Sequence, residues 1–351
     1  MQSKFFPTAP TRLKKIFSEQ NLPFFGITNA HNAPALAEIY KKWLDENNHG
    51  QMQYLVNHSD KKTNPDKILP QAKSIILVGL NYYQERTNSD KKGQIARYAH
   101  GRDYHKTLFN KLKKACLELK KQYPEHDFKP NTDATPLLER HYAKEAGLGY
   151  IGKNTMLISL PYGSYFLIGE IISTKKFPES QYISPQGDCG TCTRCLDICP
   201  TGALDPQNPY KLNASKCISY LTIEHKGEIP LELRPKIGNW LFGCDLCQEV
   251  CPHNIRAQIT TEPDFLKAIA GNELDLAKIL TLKTDAEFLE LFAGSPLMRA
   301  KKDQLIRNAC IVAGNTKATK LLPLLKKLAS ESSPLIAEHA AWAIAEIEKS
   351  T

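Results

Sequence analysis

An α/β domain, a ferredoxin-like insert for two clusters and an all-α, HEAT-like tail make up the architecture that this 351-residue sequence predicts. Three observations predict it. Strand-like and helix-like stretches alternate through residues 1–180, as in α/β layer structures. Two cysteine runs, CGTCTRCLDICP from Cys189 and GCDLCQEVCP from Gly243, mark residues 181–260 as the insert. Across 261–351 the composition shifts to helix formers, and RNACIVAGN followed by HAAWAIAEI looks like a helical repeat of the HEAT type.

In the first region, Pro10 to about Asn21 and Ala33 to Asn48 carry helical periodicity, the second stopping at the Asn47-Asn48-His49-Gly50 breaker. Pro23 to Thr28 suits a short strand. Ser74 to Leu80 is a continuous apolar run of the kind a buried strand gives. Asn81-Tyr82-Tyr83 leads it into a polar loop, where α/β folds place ligands. That loop runs to IARYAHGRDYHKTL, dense in Arg97, Arg102, His105, Tyr98 and Tyr104. A helix from Tyr104 to Lys121 comes next. Phe128 to Asp133 reads as a strand end, and Pro136 suits the first turn of a helix from Leu137 to Ala146, which Gly147 and Gly149 stop. A glycine-rich turn carrying Lys153 and Asn154 leads into strands Thr155 to Leu160 and Tyr165 to Ser173, expected to pair across Pro161-Tyr162-Gly163. Asp133, just before its helix, reads from the residues alone as an acidic cap. No full G-x-G-x-x-G dinucleotide fingerprint is present.

Cys189, Cys192, Cys195 and Cys199, followed by Pro200, have the spacing of a bacterial iron–sulfur ligand run. Cys244, Cys247 and Cys251 repeat its last three members, and Cys217 is the nearby thiol able to supply the fourth. In two-cluster ferredoxins the fourth cysteine of each run serves the other cluster. Cys189, Cys192, Cys195 and Cys251 are therefore assigned to one 4Fe-4S cluster, and Cys217, Cys244, Cys247 and Cys199 to the second. Zinc also takes four thiolates, but usually from two separated C-x2-C pairs. Disulfides concentrate in small secreted domains, and Cys116 and Cys310 read as buried small hydrophobes. The insertion SYLTIEHKGEIPLELRPKIGNWLFG, between Cys217 and Cys244, is expected to cover the cluster that faces an active site.

In the tail, Asp303 to Gly314, Lys317 to Ser330 and Pro334 to Lys349 read as amphipathic helices. A single repeat cannot bury its own face, so it should dock on the body. Arg299, Lys301, Lys302 and Arg307 form the tail's densest basic cluster, either a solvated face or a phosphate-binding surface. Hydrophobic and charged fractions of 42% and 24% are those of a soluble globular protein. The start, MQSKFFPTAP, lacks the pattern of a leader, and the stretch Thr155 to Ile172 is too broken to span a membrane, so a cytoplasmic protein is expected. The formal net charge of +9 favours a polyanionic partner.

DATPLLER from Asp133, AGLGYIGKNT from Ala146, both cysteine runs, SKCISYLTIE from Ser215 and the HEAT-like tail together resemble the epoxyqueuosine reductase family, cobalamin-dependent iron–sulfur enzymes of tRNA modification. The match covers most of the chain in order. Asp133 to Ile158 is its specific part, with Tyr150 where the family has tryptophan. The resemblance implies a cobalamin-binding α/β domain that performs the last step of queuosine biosynthesis. In that step the epoxide of epoxyqueuosine, at the wobble position of the tyrosine, histidine, asparagine and aspartate tRNAs, is reduced to an alkene with loss of water. Electrons would come from a low-potential donor through the clusters. By the same resemblance Asp133 is the general acid rather than a cap, with a pKa raised by burial near the corrin. Arg97, Tyr98, Lys153, Asn154, Met156, Ser219, Gly243 and Asp245 are the implied cobalamin contacts; the last two adjoin Cys244, which puts the second cluster nearest the cobalt. The D-x-H-x-x-G signature is absent, since Asp103-Tyr104-His105 is followed by Leu108, in keeping with the family's base-off binding. The basic cluster becomes the expected tRNA surface, and the chain is expected to be a monomer with no membrane partner. Three rival readings are a reductive dehalogenase-like enzyme, a non-catalytic ferredoxin-type electron carrier and a tRNA-binding module without reductive chemistry.

Overall fold

A computed structural model describes residues 8–86, 93–133, 135–160, 162–180 and 187–349. The first region runs α1 (Thr11–Glu19), β1 (Phe25–Asn29), α2 (Pro34–Asp45), α3 (Gln53–Asn57), β2 (Ser74–Asn81), β3 (Gly93–Ile95), α4 (Tyr104–Gln122), β4 (Phe128–Asn131), α5 (Glu139–Glu145), β5 (Tyr150–Ile151), β6 (Leu157–Ile158) and β7 (Phe166–Ser173). Its main sheet has the order β1-β2-β7-β4 and is antiparallel throughout. The uninterrupted apolar run of β2 follows from helices on both faces. Ile76, Val78 and Leu80 pack with Leu13, Ile16 and Phe17 of α1 and Leu108, Leu112 and Leu119 of α4. Ile75 and Leu77 point the other way, into a core with Leu137, Tyr142, Ala143 and Ala146 around α5. A strand buried on both faces reads as continuous rather than alternating, whatever its neighbours' direction.

The expected pairing of Thr155–Leu160 with Tyr165–Ser173 is corrected. β7 is an inner strand whose two edges are taken by β2 and β4, with Glu170 opposite both Leu77 and Asn131. The residues before it instead form β6, which pairs with β5. A bridge joins Ser159 to Gly163 of the intervening turn, and Pro161 lies outside the described residues. Gly26 in β1 lets the end of α5 approach closely, because a Cβ there would strike the Ala146 carbonyl.

The cluster region contributes α6 (Arg194–Asp197), α7 (Ile218–Ile223), β8 (Trp240–Phe242) and α8 (Leu246–Glu249). The tail continues with α9 (Pro263–Leu266), β9 (Glu273–Leu274), α10 (Leu276–Leu280), α11 (Asp285–Phe292), α12 (Lys301–Asn315), α13 (Leu322–Glu331) and α14 (Pro334–Glu348). The three regions are interlocked. A second sheet, β8-β3-β9, takes one strand from each, and Ile95 and Ala99 share one core with Leu241, Phe242 and the tail helices. Near the expected boundary at 260, Thr260 is hydrogen-bonded to Tyr83 and Asn81 of the first region; the boundary at 180/181 borders residues outside the description. α12 is the tail's central helix, with every residue from Gln304 to Gly314 buried, as expected of a helix surrounded on all sides. Among the described residues no helix is long and apolar enough to cross a membrane.

Candidate functional site

The structure brings the eight cysteines into one neighbourhood, with Cys247 near Cys195 of the first expected set as well as Cys217 and Cys199 of the second. Cys195 and Cys251 each feel the charges of Cys189 and Cys192. Cys217 is coupled to Cys199, Cys244 to Cys247 and Cys217, and Cys247 to Cys217 and Cys199. All eight are free thiols. Among the described residues no three of them bring their sulfurs within 4.8 Å of one another. A single tetrahedral zinc would draw thiolates to about 3.8 Å, whereas a cubane, with one iron per thiolate, spaces them more widely. Short helices α6 and α8 each carry the third cysteine of a run, Cys195 and Cys247. Cys217 is the N-cap of α7; burial pushes its thiol up, opposed by the backbone N–H groups of Tyr220 and Ser219.

Cys217, Cys244 and Cys247 open onto a cleft of about 420 Å³. One part of its lining is apolar, from Met156, Leu157, Phe166, Leu167 and Ile168; Asn154, Ser219, Asp245 and Gln248 add polar groups. The cleft also reaches Tyr98, Tyr104, Asp133, Glu139 and Arg140. The glycine-rich turn and the polar loop after β2, far apart in sequence, thus meet the second cysteine set at one place.

Asp133 is the focus of a hydrogen-bonded array. Its backbone is left-handed, φ 55°, a conformation that aspartate tolerates better than most residues, and its N–H donates to Glu139 Oε1 at 2.9 Å. The Tyr104 hydroxyl donates to Asp133 Oδ2 at 2.7 Å, and His105 Nε2 lies 3.4 Å from the same oxygen. The other imidazole nitrogen, Nδ1, is 2.8 Å from Asp103 Oδ1, and Asp103 caps α4. The imidazole is therefore held between two carboxylates. Against the desolvation that works to lower it, Asp103 and Asp133 push His105 up to about 9.

His105 above all, with Tyr104 and Arg140, holds the Asp133 carboxyl below the usual range despite desolvation. The proton of the pair rests on the imidazole. The raised carboxyls behind Asp133 are Glu139, pushed up to about 8 by burial and by the charge of Asp133, and Glu170, pushed well above the usual range by burial, Glu139 and Asp133. Sequence reasoning missed Tyr104, His105, Glu139, Arg140 and Glu170 as site residues. For Glu170 a signal was present: one acid in the otherwise apolar strand FLIGEIIS.

Of the expected cobalamin contacts, Tyr98, Asn154, Met156, Ser219 and Asp245 line the cleft, whereas Arg97, Lys153 and Gly243 are not among its lining residues. Arg97 is buried against Asp245 and Glu249, at 3.1 and 2.6 Å, and Arg86 joins the same two carboxylates while stacking on Trp240. Burial pushes the Asp245 carboxyl up, opposed by Arg86 and Arg97. This network ties the polar loop to the second cysteine run. Lys153 Nζ donates to the carbonyls of Gly190 and Cys192 and so braces the first run. Gly243, at φ 71°, packs where a Cβ would collide with Ala96.

The basic cluster also divides. Arg307 is 0% exposed, donating to the carbonyls of Leu221, His225 and Gly227 and to Asn308; it is an internal tie between α12 and the insertion, not a phosphate contact. Lys302 is drawn onto the Lys283 carbonyl and Asp303. Arg299 and Lys301 remain outward. Arg299 forks onto Glu224 at 2.8 and 3.0 Å, over the Tyr54 ring, and its charge reaches Asp133, so it stands near the cleft.

A family model described as epoxyqueuosine reductase QueG, DUF1730, matches residues 62–134, and one described as a 4Fe-4S double cluster binding domain matches residues 188–254. The chain is similar to the epoxyqueuosine reductase of Xanthomonas campestris pv. campestris, 37% identical over 96% of each chain. Among solved structures it resembles an epoxyqueuosine reductase with a tRNA-Tyr epoxyqueuosine-modified stem loop, at 32% identity and a TM-score of 0.86, covering 96% of this chain and 89% of that one. It also resembles the Bacillus subtilis enzyme, captured with its catalytic aspartate loop swung out of the active site, at 32% identity and a TM-score of 0.85, covering 95% and 90%.

Proposed function

The chain belongs to the epoxyqueuosine reductase family, and from that premise we propose that it reduces the epoxide of epoxyqueuosine in tRNA to the alkene of queuosine, the oxygen leaving as water. The observation that carries this reading is the Tyr104–His105–Asp133 array at a cleft that the second cysteine set also lines. Breaking the carbon–oxygen bonds places negative charge on a departing oxygen, and an acid held at that oxygen lowers the barrier. His105 holds the proton and Asp133 stands next to it, so proton transfer through Asp133 to the oxygen needs no solvent. Tyr104 fixes the carboxylate by its hydroxyl and stacks on His105, ring centroids 4.1 Å apart.

Two 4Fe-4S clusters, on the two cysteine sets, would supply electrons one at a time from a low-potential donor. A cobalamin would lie against the cleft, whose apolar stretch suits the face of a large ring and whose polar groups suit its amide rim; Tyr98, Asn154, Met156, Ser219 and Asp245 would hold it. When bound there it would supply a low-potential centre for two-electron reduction of the epoxide. The chain's own residues orient substrate and deliver protons.

For tRNA, Arg299 and Lys301 offer phosphate contacts beside the cleft, and the relative solved with a tRNA-Tyr stem loop supports tRNA as the partner. The proposal extends to the wobble position of the tyrosine, histidine, asparagine and aspartate tRNAs, to a monomer working in the cytoplasm, and to a HEAT-like role for α12–α14 as a docked scaffold. The test is turnover of an epoxyqueuosine-containing anticodon stem-loop by anaerobically purified protein with cobalamin and a low-potential reductant. Queuosine formation is expected; corrin-free protein that transfers electrons but leaves the stem-loop unchanged would make it an electron carrier instead.

A further inference from the structure

The proposed reduction consumes two electrons and two protons: both bonds from carbon to the epoxide oxygen break, a carbon–carbon double bond forms, and the oxygen leaves as water. The His105–Asp133 pair holds one proton between its facing groups. A second has to come from elsewhere, and the structure puts two further carboxyls behind Asp133. Glu139, the first residue of α5, accepts the Asp133 N–H and lines the cleft. Glu170, in the middle of β7, is 0% exposed, and both its carboxyl oxygens lack a hydrogen-bond partner among the described residues. Asn131 stands across the ladder from it, and Asn131 Nδ2 and the neighbouring Thr132 Oγ1 are buried without partners as well.

The charges around these groups decide their state. Glu139 faces Asp133, Arg140 and Lys62; Glu170 faces Glu139, Asp133 and Lys62. Asp133 itself faces Tyr104, His105 and Arg140, with Tyr54 and Arg299 also in reach. Burial lowers the Lys62 ammonium, so one weakened cation serves both glutamates while Arg140 is shared with Asp133. An isolated carboxylate in such a place neutralises rather than stay charged. With Asp133 ionised beside His105, the protons of the cluster sit on Glu139 and Glu170.

We propose, on the reading of the reaction given above, that Glu139 and Glu170 form an internal proton store that reloads Asp133, Glu139 at the cleft and Glu170 as the reserve behind it. The first proton passes from the His105–Asp133 pair to the departing oxygen. The second reaches it after Glu139 has given up its own, and the two electrons come from the low-potential donor. Glu139 and Glu170 regain protons from solvent once product has left.

Single-turnover conversion of the modified stem-loop, by cobalamin-loaded wild type, Glu139→Gln and Glu170→Gln, tests this as a function of pH. The wild-type rate is expected to fall as pH passes about 8, where Glu139 loses its proton. In Glu139→Gln the rate at neutral pH should drop by roughly tenfold to a hundredfold, with the limb near 8 gone and only a loss near 9, from His105, remaining. A second arm does not depend on activity. The raised carboxyl of Glu170 keeps a proton that the unfolded chain releases at the ordinary carboxylate pKa, so wild-type stability falls as pH rises above that value. Glu170→Gln cannot titrate, and its melting temperature should gain on wild type progressively with rising pH. Wild-type rates and an unchanged alkaline limb in Glu139→Gln, or a melting difference that does not vary with pH, would overturn the store. A wild type that binds the stem-loop but never converts it refutes the proposed function instead, and the melting arm still judges Glu170.

Discussion

Asp133 shows how far a single residue's role depends on its partners. A general acid is usually pictured as a carboxyl kept protonated by burial; here the neighbouring imidazole favours the ionised carboxylate, which in the proposed reaction is the point of delivery. Asp133→Asn removes that point without changing the size of the side chain. Turnover should fall roughly a hundredfold or more while iron content and stem-loop affinity stay at wild-type levels; retained turnover would return Asp133 to the role of a turn residue. The position of Asp133 was legible through the motif around it. The direction of its pKa was not, because that direction comes from His105 and Tyr104, thirty residues upstream in sequence and brought close only by the packing of α4 against the sheet.

At the level of elements, the cysteine runs were legible because ligand spacing is local: two short helices and their turns set the spacing wherever the module sits. Strand pairing and burial are not local. β7 pairs with β2 and β4 rather than with the stretch next to it, since both of its edges are satisfied by distant partners. α12 gives a sharper case, for Arg307 counts as surface charge in any reading of composition and is instead enclosed, its guanidinium lowered to about 10 by burial. Replacing it with alanine removes the Arg307 donors from the Leu221 and Gly227 carbonyls and from Asn308 Oδ1, and leaves the His225 carbonyl to Gln304. Arg307→Ala should cost roughly 3–5 kcal/mol of stability, seen as a lower midpoint in denaturant, and should leave the salt dependence of tRNA binding among surviving folded molecules unchanged.

For the molecule as a whole, the net charge of +9 announced a polyanionic partner but not where it lies. Only the folded chain separates Arg299 and Lys301, which face outward, from Lys302 and Arg307, which do not. Neutralising Arg299 and Lys301 together should weaken stem-loop binding and reduce the slope of log affinity against log salt by about 1 to 2; identical slopes across a salt series would remove this face from the binding surface. The cleft itself could not be read as a cavity from the sequence, because its walls come from segments far apart in the chain, among them the polar loop, the glycine-rich turn, β7, the start of α7 and the second cysteine run.

The small sheet in which β3 lies between β8 and β9 carries a consequence for how the protein is born. On the ribosome Gly93–Ile95 emerges long before Glu273–Leu274, and at about 5–20 residues per second the gap lasts roughly ten to thirty-five seconds. During that interval the main sheet can close and β3 can pair with β8, but its other edge has no final partner until β9 arrives. The second sheet is therefore completed last, after the cysteine runs have been made and only once the tail is present. A chain ending at residue 260 should show rapid hydrogen exchange at the Ile95 amide, whose acceptor is the Asn272 carbonyl, while β2 and β7 stay protected; protection of that amide in such a chain would mean that the tail is an attachment rather than the final step of assembly.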